Sequence, residues 1–355
     1  MKPLQLKYNR VWRTYTGGKS IDEFYGGKEA VDTYYPEVWI ASTTAAINPN
    51  FVEGEGLSIV EGLEKPLIKL INENPTIYLG EQHWADFGAS AGVLTKLLDA
   101  GERLTIQVHP DKEKAMSLFQ SPYGKTEAWY IMDGREIHGE APHIYLGFKE
   151  GVEKETWKTY FKEQNIQGML HSLHKIYVKP GDVYLIEGGT PHAIGAGCFI
   201  LEIQEPTDLT IRIEKITPGG YEIPDRICHQ GLGFDKMFDC FDYQGYTQEE
   251  VMDKWLISSK KDLVGTAQVL IKHSHTKCFS LERYVVESPL DILASKGFSV
   301  IIVLLGSGTI ASNDGVLEVK KGDQIFVPAS CSDLLITSEE GSESLNLLRC
   351  LPPVK

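Results

Sequence analysis

The amino-acid sequence predicts a mainly β chain that forms two similar barrels, with a small helical portion attached to the first barrel. Short runs rich in Val, Ile, Tyr and Leu alternate with turns rich in Gly, Pro and Asp, which is the pattern of successive strands. The turn Lys179-Pro180-Gly181-Asp182 and the apolar run after it recur, weakly, at Lys320-Lys321-Gly322-Asp323. This internal repeat indicates that one strand architecture occurs twice.

Length and charge limit the classes of protein that this chain can be. Its 355 residues are enough for two domains and a sizeable core. The net charge of −14, from 35 basic and 49 acidic residues, opposes binding to nucleic acid or anionic membranes, so an anionic substrate would need a locally basic pocket. No apolar run is long enough to span a bilayer, and the N-terminus lacks a signal-peptide pattern, which predicts a cytoplasmic protein. The oligomeric state stays open.

The apolar patterns assign strands to seven segments and helices to four. Residues 92–100 carry apolar side chains on one stripe and stop before Gly101, which favours a helix. Residues 154–170 also have apolar residues at helical spacing, with a break near Asn165. The other predicted helices are 111–120 and 248–256, and the predicted strands are 37–42, 104–108, 127–132, 176–178, 183–186, 199–203 and 209–213.

The polar stretch at about residues 240–265 predicts a domain boundary. Residues 1–245 would form a catalytic, metal-binding domain with helical insertions at about 92–120 and 152–172, and residues 246–355 would form the second barrel. In the second copy of the repeat, Ala329 and Ser330 follow the proline where the first copy has His192. Neither can bind a metal, so a metal site is predicted only in the first barrel.

Four candidate metal ligands lie in three short strings. Gln107 and His109 alternate around an apolar residue, so on a strand their side chains share one face. Glu127 begins one apolar run, and His192 follows another. Four nitrogen and oxygen donors on neighbouring strands could hold one divalent cation inside a barrel. The six cysteines form no Cys-x-x-Cys pair, which argues against disulfides and a cysteine-based zinc site.

These strings, together with their flanking residues, resemble a known family. The matching segments are residues 97–111, 124–130, 189–197 and 202–212, with a weaker match at 36–42. At these residues the chain resembles a cupin, a small jelly-roll barrel. More narrowly, it is similar to the type I phosphomannose isomerases. The string Gln107-Val108-His109-Pro110-Asp111 is specific, because a general cupin has His-x-His there. Residues 11–29 match poorly.

The resemblance implies a zinc enzyme that interconverts mannose 6-phosphate and fructose 6-phosphate, with one Zn²⁺ per chain and a sugar phosphate as its small-molecule partner. The implied zinc ligands are Gln107, His109, Glu127 and His192. It further implies a catalytic Arg212, a carboxylate for proton transfer at Glu202, and a sugar-phosphate pocket lined by Lys125 and Thr105. In many members a lysine follows the Thr-Pro pair after the arginine, whereas here Lys215 precedes Thr217-Pro218.

The chemistry explains why such residues are needed. Moving a proton between two adjacent carbons creates an enediolate, whose negative charge a divalent cation can stabilise. The permanently charged fork of Arg212 suits either the enediolate or a phosphate. Lys125 lies two residues before Glu127, so on a strand it shares the face of that ligand. Glu202 could act as the general base.

Two alternative functions remain open from the sequence. One is a two-barrel cupin that binds a sugar without turnover, and the other is a metal cupin with different chemistry, such as an iron oxygenase. The glutamine ligand and the pair Lys125 and Arg212 disfavour both. Among other motifs, His171 and His174 lack a third ligand, and Gly17-Gly18-Lys19-Ser20 lacks the first glycine of a phosphate loop, since Arg13 stands there.

Overall fold

A computed structural model describes residues 1–50, 52–257, 263–264, 267–293 and 297–355. Strands make up 34 % of the chain and helices 20 %, which confirms the mainly β class. All seven predicted strands are present: residues 183–186 form a strand with the predicted ends, and the other six have shifted ends. Part of the predicted boundary stretch, residues 258–262, lies outside the described residues. None of the helices in the described ranges is long and apolar enough to cross a membrane.

The described strands and helices alternate irregularly along the chain. The strands are β1 (Leu4–Gln5), β2 (Arg10–Val11), β3 (Glu37–Ile40), β4 (Ile59–Val60), β5 (Lys65–Pro66), β6 (Leu94–Asp99), β7 (Gln107–Val108), β8 (Glu127–Gly134), β9 (His143–Lys149), β10 (Leu173–Tyr177), β11 (Val183–Ile186), β12 (His192–Ile194), β13 (Cys198–Gln204), β14 (Ile211–Arg212), β15 (Gly245–Tyr246), β16 (Leu263–Val264), β17 (Ala267–Ile271), β18 (Ser280–Val286), β19 (Leu290–Ile292), β20 (Ser299–Leu305), β21 (Ser307–Ser312), β22 (Gly315–Lys320), β23 (Gln324–Val327), β24 (Leu334–Ser338) and β25 (Leu345–Leu351). The helices are α1 (Lys19–Phe24), α2 (Leu67–Glu73), α3 (Pro75–Leu79), α4 (Glu81–Phe87), α5 (Lys112–Phe119), α6 (Lys154–Glu163), α7 (Ile166–His171), α8 (Asp225–His229) and α9 (Gln248–Trp255), with a 3-10 helix at Lys236–Cys240.

Two six-stranded sheets form the first sheet pair. One, here called the histidine sheet, has the order β10-β9-β12-β7-β14, with β15 beside β9. The other, the charged sheet, has the order β11-β8-β13-β6-β3-β2. Apolar side chains from both sheets pack in one cluster between them, among them Leu98, Ile131, Ile144, Leu146, Ile194 and Ile200. The inner faces of the two sheets therefore enclose a common interior.

The second sheet pair is formed mainly by the C-terminal part of the chain. Its seven-stranded sheet has the order β1-β23-β20-β25-β18-β17-β16, and its four-stranded sheet has the order β19-β24-β21-β22. The outer face of the charged sheet packs on the seven-stranded sheet, since Leu97 and Leu201 share a cluster with Val300 and Ile302. The strand β1 belongs to the second pair although it begins the chain, so the chain order and the spatial division differ at the N-terminus.

The predicted helix at residues 92–100 is wrong, because residues 94–99 form the strand β6. This strand lies between β13 and β3 in the charged sheet, and all six of its residues are buried. A strand that is covered on both faces consists of a short, nearly continuous run of apolar residues. The spacing of apolar residues cannot distinguish such a run from a buried helix. Between residues 92 and 120 only α5 is helical, whereas α6 and α7 confirm the predicted helical segment at residues 154–170.

The helices α6 and α7 divide where the sequence suggested a break. Gln164 ends α6 in the left-handed conformation, with a φ of 49°. The side chain of Asn165 then accepts a hydrogen bond from the backbone N–H of Gly168 and caps α7. Helices α2, α3 and α4 were not predicted, because elements of five to seven residues are too short to show a helical period.

Candidate functional site

Three of the four predicted metal ligands meet between the two sheets of the first pair. His192 begins β12 and pairs with Gln107 of β7 in the histidine sheet, while Glu127 begins β8 in the charged sheet. Nε2 of His109 lies 3.1 Å from one carboxylate oxygen of Glu127, and Nε2 of His192 lies 3.4 Å from the other. One donor atom from each of the three residues lies within 4.8 Å of the others, and all three residues are buried.

Both imidazole rings are held in the form that a metal requires. Nδ1 of His109 donates to the carbonyl of Leu209 at 2.8 Å, and Nδ1 of His192 donates to the carbonyl of Thr190 at 2.9 Å. These bonds assign the ring proton to Nδ1 and leave a lone pair on Nε2, which faces Glu127. Burial lowers the pKa of both histidines, so the neutral ring is favoured.

Gln107 lies beside this group. Its side-chain amide nitrogen is 3.2 Å from Nε2 of His192. The oxygen and nitrogen of an amide exchange places when the group turns by half a circle, so the carbonyl oxygen can face the same point. The fourth predicted ligand is thus adjacent to the other three.

The carboxylate of Glu127 shows that the donor set fits a cation. Both of its oxygens are buried, and neither accepts a hydrogen bond of normal geometry from the described residues. Burial alone would raise the pKa of Glu127, but the ammonium of Lys125 lowers it overall, so the group is ionised. The Lys125 ammonium lies 2.9 Å from Glu127 and 2.9 Å from Nε2 of His109. One carboxylate, two imidazole nitrogens and an amide oxygen are suitable ligands for a divalent metal such as zinc.

A small buried cavity brings the predicted substrate residues next to the ligands. Its volume is about 30 Å³, which is room for a single water molecule. The predicted residues in its lining are Thr105, Gln107, Lys125, Glu202 and Arg212, and the lining residues that were not singled out as site residues include Arg13, Tyr15, Glu37 and Lys96.

A series of buried charges of alternating sign includes five residues of the cavity wall and ends at two carboxylates beyond it, Asp208 and Glu127. Lys96, in the centre of β6, lies 3.6 Å from Glu37 and 3.5 Å from Glu202. Burial lowers the pKa of Lys96, but the two carboxylates raise it overall, so the ammonium stays charged. The full series, with the distance to the next member, is Asp208 (2.9 Å), Arg13 (3.3 Å), Glu37 (3.6 Å), Lys96 (3.5 Å), Glu202 (3.8 Å), Lys125 (2.9 Å) and Glu127.

Lys96 is a site residue that the sequence reasoning missed. On the predicted helix it would have been a solvated lysine beside the apolar stripe. As a strand residue it is a charged side chain inside a short apolar run, and a lysine is rarely buried without a partner. That signal was present in the sequence but depended on assigning β6 correctly.

Arg212 differs from the other cations of the cavity in its partners. It is buried, and its Nη1 donates to the carbonyls of Thr210 at 3.1 Å and Ile227 at 3.3 Å. Within the described residues, no carboxylate lies within 4.0 Å of its guanidinium. Burial and the neighbouring Arg13 lower the pKa of Arg212 to about 10. A buried guanidinium bonded to carbonyls alone is well suited to bind an anion.

The remaining motifs lie away from this cavity or have other partners. The ring of His171 bonds to the carbonyl of Gln167, while the ring of His174 bonds to the carbonyl of Tyr246 and the side chain of Gln248. The backbone N–H groups of Gly18 and Ser20 donate to the Asp99 carboxylate, so that glycine turn binds a protein side chain. Lys215 lies over the ring of Phe234 at 4.5 Å and is not in the lining of the cavity.

Fold and site together define the class of protein: a cupin with a candidate metal centre of two histidines and one glutamate. Two family models match the chain, described as the catalytic domain of phosphomannose isomerase type I at residues 6–136 and the cupin domain of mannose-6-phosphate isomerase at residues 271–342. The chain is 30% identical over 254 residues to the mannose-6-phosphate isomerase ManA of Bacillus subtilis (strain 168), covering 70% of this chain and 74% of the relative. It belongs to the type I mannose-6-phosphate isomerase family, whose members are aldose–ketose isomerases.

Solved structures share this fold over the whole chain. The crystal structure of the mannose 6-phosphate isomerase from Bacillus subtilis matches with a TM-score of 0.74, covers 99% of both chains and is 24% identical in sequence. A zinc-bound mannose 6-phosphate isomerase matches with a TM-score of 0.73, covers 100% of both chains and is 15% identical.

Proposed function

We propose that the chain interconverts mannose 6-phosphate and fructose 6-phosphate by proton transfer through an enediol or enediolate, with one zinc ion per chain. The observation that carries the proposal is the position of Arg212. This buried cation, which has no carboxylate partner among the described residues, lines the same cavity as the ligand Gln107. A metal centre beside an anion-binding group has the chemistry for a substrate that carries both sugar oxygens and a phosphate, and the cavity of about 30 Å³ must widen to admit it.

The proposed zinc ligands are Gln107, His109, Glu127 and His192. When bound there, the metal supplies Lewis-acid stabilisation of the enediolate oxygens. The family supports zinc as the ion, because one relative of the same fold is zinc-bound. The ligand chemistry agrees, since the set combines imidazole nitrogens with oxygen donors.

The other residues of the cavity have separate roles in this proposal. Glu202 takes the proton from one carbon and returns it to the next, and the ammonium groups of Lys96 at 3.5 Å and Lys125 at 3.8 Å orient its carboxylate. Arg212 binds negative charge, either on the phosphate or on the developing enediolate. The hydroxyl of Thr105 donates a hydrogen bond to the phosphate.

The buried charges in and beside the cavity wall support this combination of a metal ion and a sugar phosphate. Four buried cations, Arg13, Lys96, Lys125 and Arg212, stand against four buried carboxylates, Glu37, Glu127, Glu202 and Asp208. These charges cancel. A divalent cation and a sugar phosphate of charge close to −2 also cancel each other. The site is therefore neutral overall when both bind, although the chain as a whole is acidic.

We also propose that the two sheet pairs are two cupin-type jelly-roll barrels. Residues 1–245 would hold the metal-binding catalytic domain, and residues 246–355 the barrel without metal ligands. Two family models that match separate parts of the chain support this division, while the pairing of β1 with β23 modifies it at the N-terminus. The cytoplasmic location stays a prediction of the sequence.

An assay with and without metal tests the proposed function. The purified protein is analysed for bound metal and then assayed with mannose 6-phosphate, with coupled detection of fructose 6-phosphate. We expect turnover that a chelator abolishes and Zn²⁺ restores. Bound metal without turnover would support a sugar-binding cupin instead, and turnover that survives complete removal of metal would exclude the zinc mechanism.

A further inference from the structure

Arg13 is a buried charged residue in the segment 11–29, which was expected to match the family poorly but lies within the range of the catalytic-domain model, residues 6–136. It lies between β2 and α1, is 5 % exposed and lines the cavity of the site. Its guanidinium donates from both terminal nitrogens to the two carboxylate oxygens of Asp208, at 2.9 and 3.0 Å. Its Nε lies 3.3 Å from the carboxylate of Glu37. Arg13 therefore joins two carboxylates that come from distant parts of the sequence.

Each of these carboxylates is connected through one intervening residue to a group of the proposed site. Asp208 directly precedes Leu209, whose carbonyl accepts the Nδ1 hydrogen bond of His109. Glu37 lies 3.6 Å from Lys96, which in turn lies 3.5 Å from Glu202. The same guanidinium can thus influence the orientation of a metal ligand and the position of the proposed base.

The partners of Arg13 distinguish it from a group that binds substrate. Burial opposes its charge, but Asp208 and Glu37 together raise its pKa, so the group is always charged. All three of its nitrogens lie within 3.3 Å of carboxylate oxygens, whereas the hydrogen bonds that Arg212 forms with the described residues go to carbonyls. A planar fork can hold Asp208 with two N–H groups and Glu37 with the third, which the single ammonium of a lysine cannot do.

We propose that Arg13 is a positioning residue: it fixes the Asp208–Leu209 backbone that orients His109, and it fixes Glu37, which holds Lys96 against Glu202. This inference rests on the proposed function. It assigns a role to one residue of the segment 11–29, for which the sequence analysis gave none. Removing a residue that holds a metal ligand in place, without itself contacting the metal, commonly changes metal affinity or activity by about 10–100-fold.

The test compares Arg13→Ala and Arg13→Lys with the matched control Arg10→Ala. Arg10 lies three residues earlier, forms an ion pair with Asp22 at 2.6 Å and is not in the lining of the cavity. For each variant, the Zn²⁺ affinity is measured by competition with a chromophoric chelator, kcat and KM are measured with mannose 6-phosphate, and folding is checked by circular dichroism.

We expect Arg13→Ala to weaken Zn²⁺ binding and to lower kcat, each by about 10–100-fold, with little change in KM. Arg13→Lys should recover part of both losses, and Arg10→Ala should match the wild type in both. If Arg13→Ala does not fold, Arg13→Lys carries the test, and wild-type Zn²⁺ affinity and kcat in that variant would overturn the proposal. A rise in KM with unchanged kcat and Zn²⁺ affinity would also overturn it, because Arg13 would then be a substrate contact.

The control measurements separate this inference from the proposed function. A wild-type protein that neither binds Zn²⁺ nor turns over mannose 6-phosphate would contradict the proposed function itself. A fully active wild type with Arg13 variants that behave like Arg10→Ala would contradict only the role of Arg13.

Discussion

The two sheet pairs share a turn with the same backbone hydrogen bonds but bury different side chains beside it. Gly181 and Gly322 have φ angles of 94° and 93°, which favour glycine. Gly181 donates to the carbonyl of Ile131 at 2.8 Å, and Gly322 donates to the carbonyl of Val303 at 2.9 Å. In each turn the aspartate that follows accepts a hydrogen bond from the backbone three residues earlier. The sequence repeat therefore corresponds to a repeated structure.

The register of the strands after these turns shows where the two copies diverge. Glu127 is opposite Ile186, four residues before Ile131, and Ser299 is opposite Val327, four residues before Val303. The carboxylate of the first copy is thus replaced by a small hydroxyl in the second. In the described part of residues 267–355, no three His, Cys, Asp or Glu side chains come together as possible ligands. The strands and turns were retained in both copies, and a few side chains determine which copy can bind a metal.

The largest effect is expected when Glu127 is replaced by serine, which is the residue at the corresponding position of the second copy. Glu127→Ser removes the only carboxylate among the ligands, so Zn²⁺ binding should be lost and kcat/KM should fall by about 10³-fold or more. Elemental analysis of the purified variant and the mannose 6-phosphate assay measure both. Wild-type metal content in Glu127→Ser would show that this glutamate is not a ligand.

Arg212→Ala separates anion binding from metal binding within the first sheet pair. The variant should keep its zinc, because the Arg212 side chain donates to the carbonyls of Thr210 and Ile227, while its pairing with the proposed ligand Gln107 is made by the backbone, which the substitution retains. Its kcat should fall by about 10²-fold, since a preorganised charge for the transition state is lost. Steady-state kinetics and metal analysis on the same sample check this result. Near-normal turnover would remove Arg212 from the mechanism.

Much of the candidate site could be predicted because each candidate ligand lies in a short string next to a recognisable turn or apolar run. Gln107, His109, Glu127 and His192 needed only their local sequence and the resemblance to be selected. The cavity wall could not be predicted in the same way. Arg13 and Lys96 are buried because Asp208, Glu37 and Glu202 neutralise them, and these partners come from distant segments. A single sequence can mark Lys96 as a charged residue in an apolar run, but it does not show which distant residues pair with it.

The fold shows the same limit. The strands β8, β11 and β13 were predicted from their apolar runs and turns, and their ends shifted by a few residues at most. The strand β6 was assigned to a helix, because its apolar run is short and is covered on both faces, by the interior of the first pair and by the seven-stranded sheet. Whether these residues form a strand depends on packing between the sheet pairs, which a local sequence pattern does not show.

Truncation of the apolar core in the second pair should affect stability without affecting the site. Leu347 is buried in the cluster between the two sheets of that pair. Leu347→Ala should lower the free energy of unfolding by about 2–5 kcal/mol, through lost burial and the cavity that remains. Denaturant unfolding measures this loss, while Zn²⁺ affinity and kcat should equal those of the wild type at a temperature where the variant is folded. A loss of Zn²⁺ affinity would mean that the second pair supports the metal centre directly.

The smallest effect concerns the position in the second pair that corresponds to Glu127. The hydroxyl of Ser299 is buried and forms no hydrogen bond with the described residues. A buried hydroxyl without a partner costs about 1–3 kcal/mol relative to its solvated state, so Ser299→Ala should raise the free energy of unfolding by about 1 kcal/mol. The change is measured by denaturant unfolding, with Ser280→Ala as the control, because the Ser280 hydroxyl is equally buried but donates to the carbonyl of Ile271. Ser280→Ala should destabilise the protein. If Ser299→Ala is destabilising as well, the hydroxyl of Ser299 has a partner, and the second copy has kept a polar interaction at the position where the first copy has its carboxylate ligand.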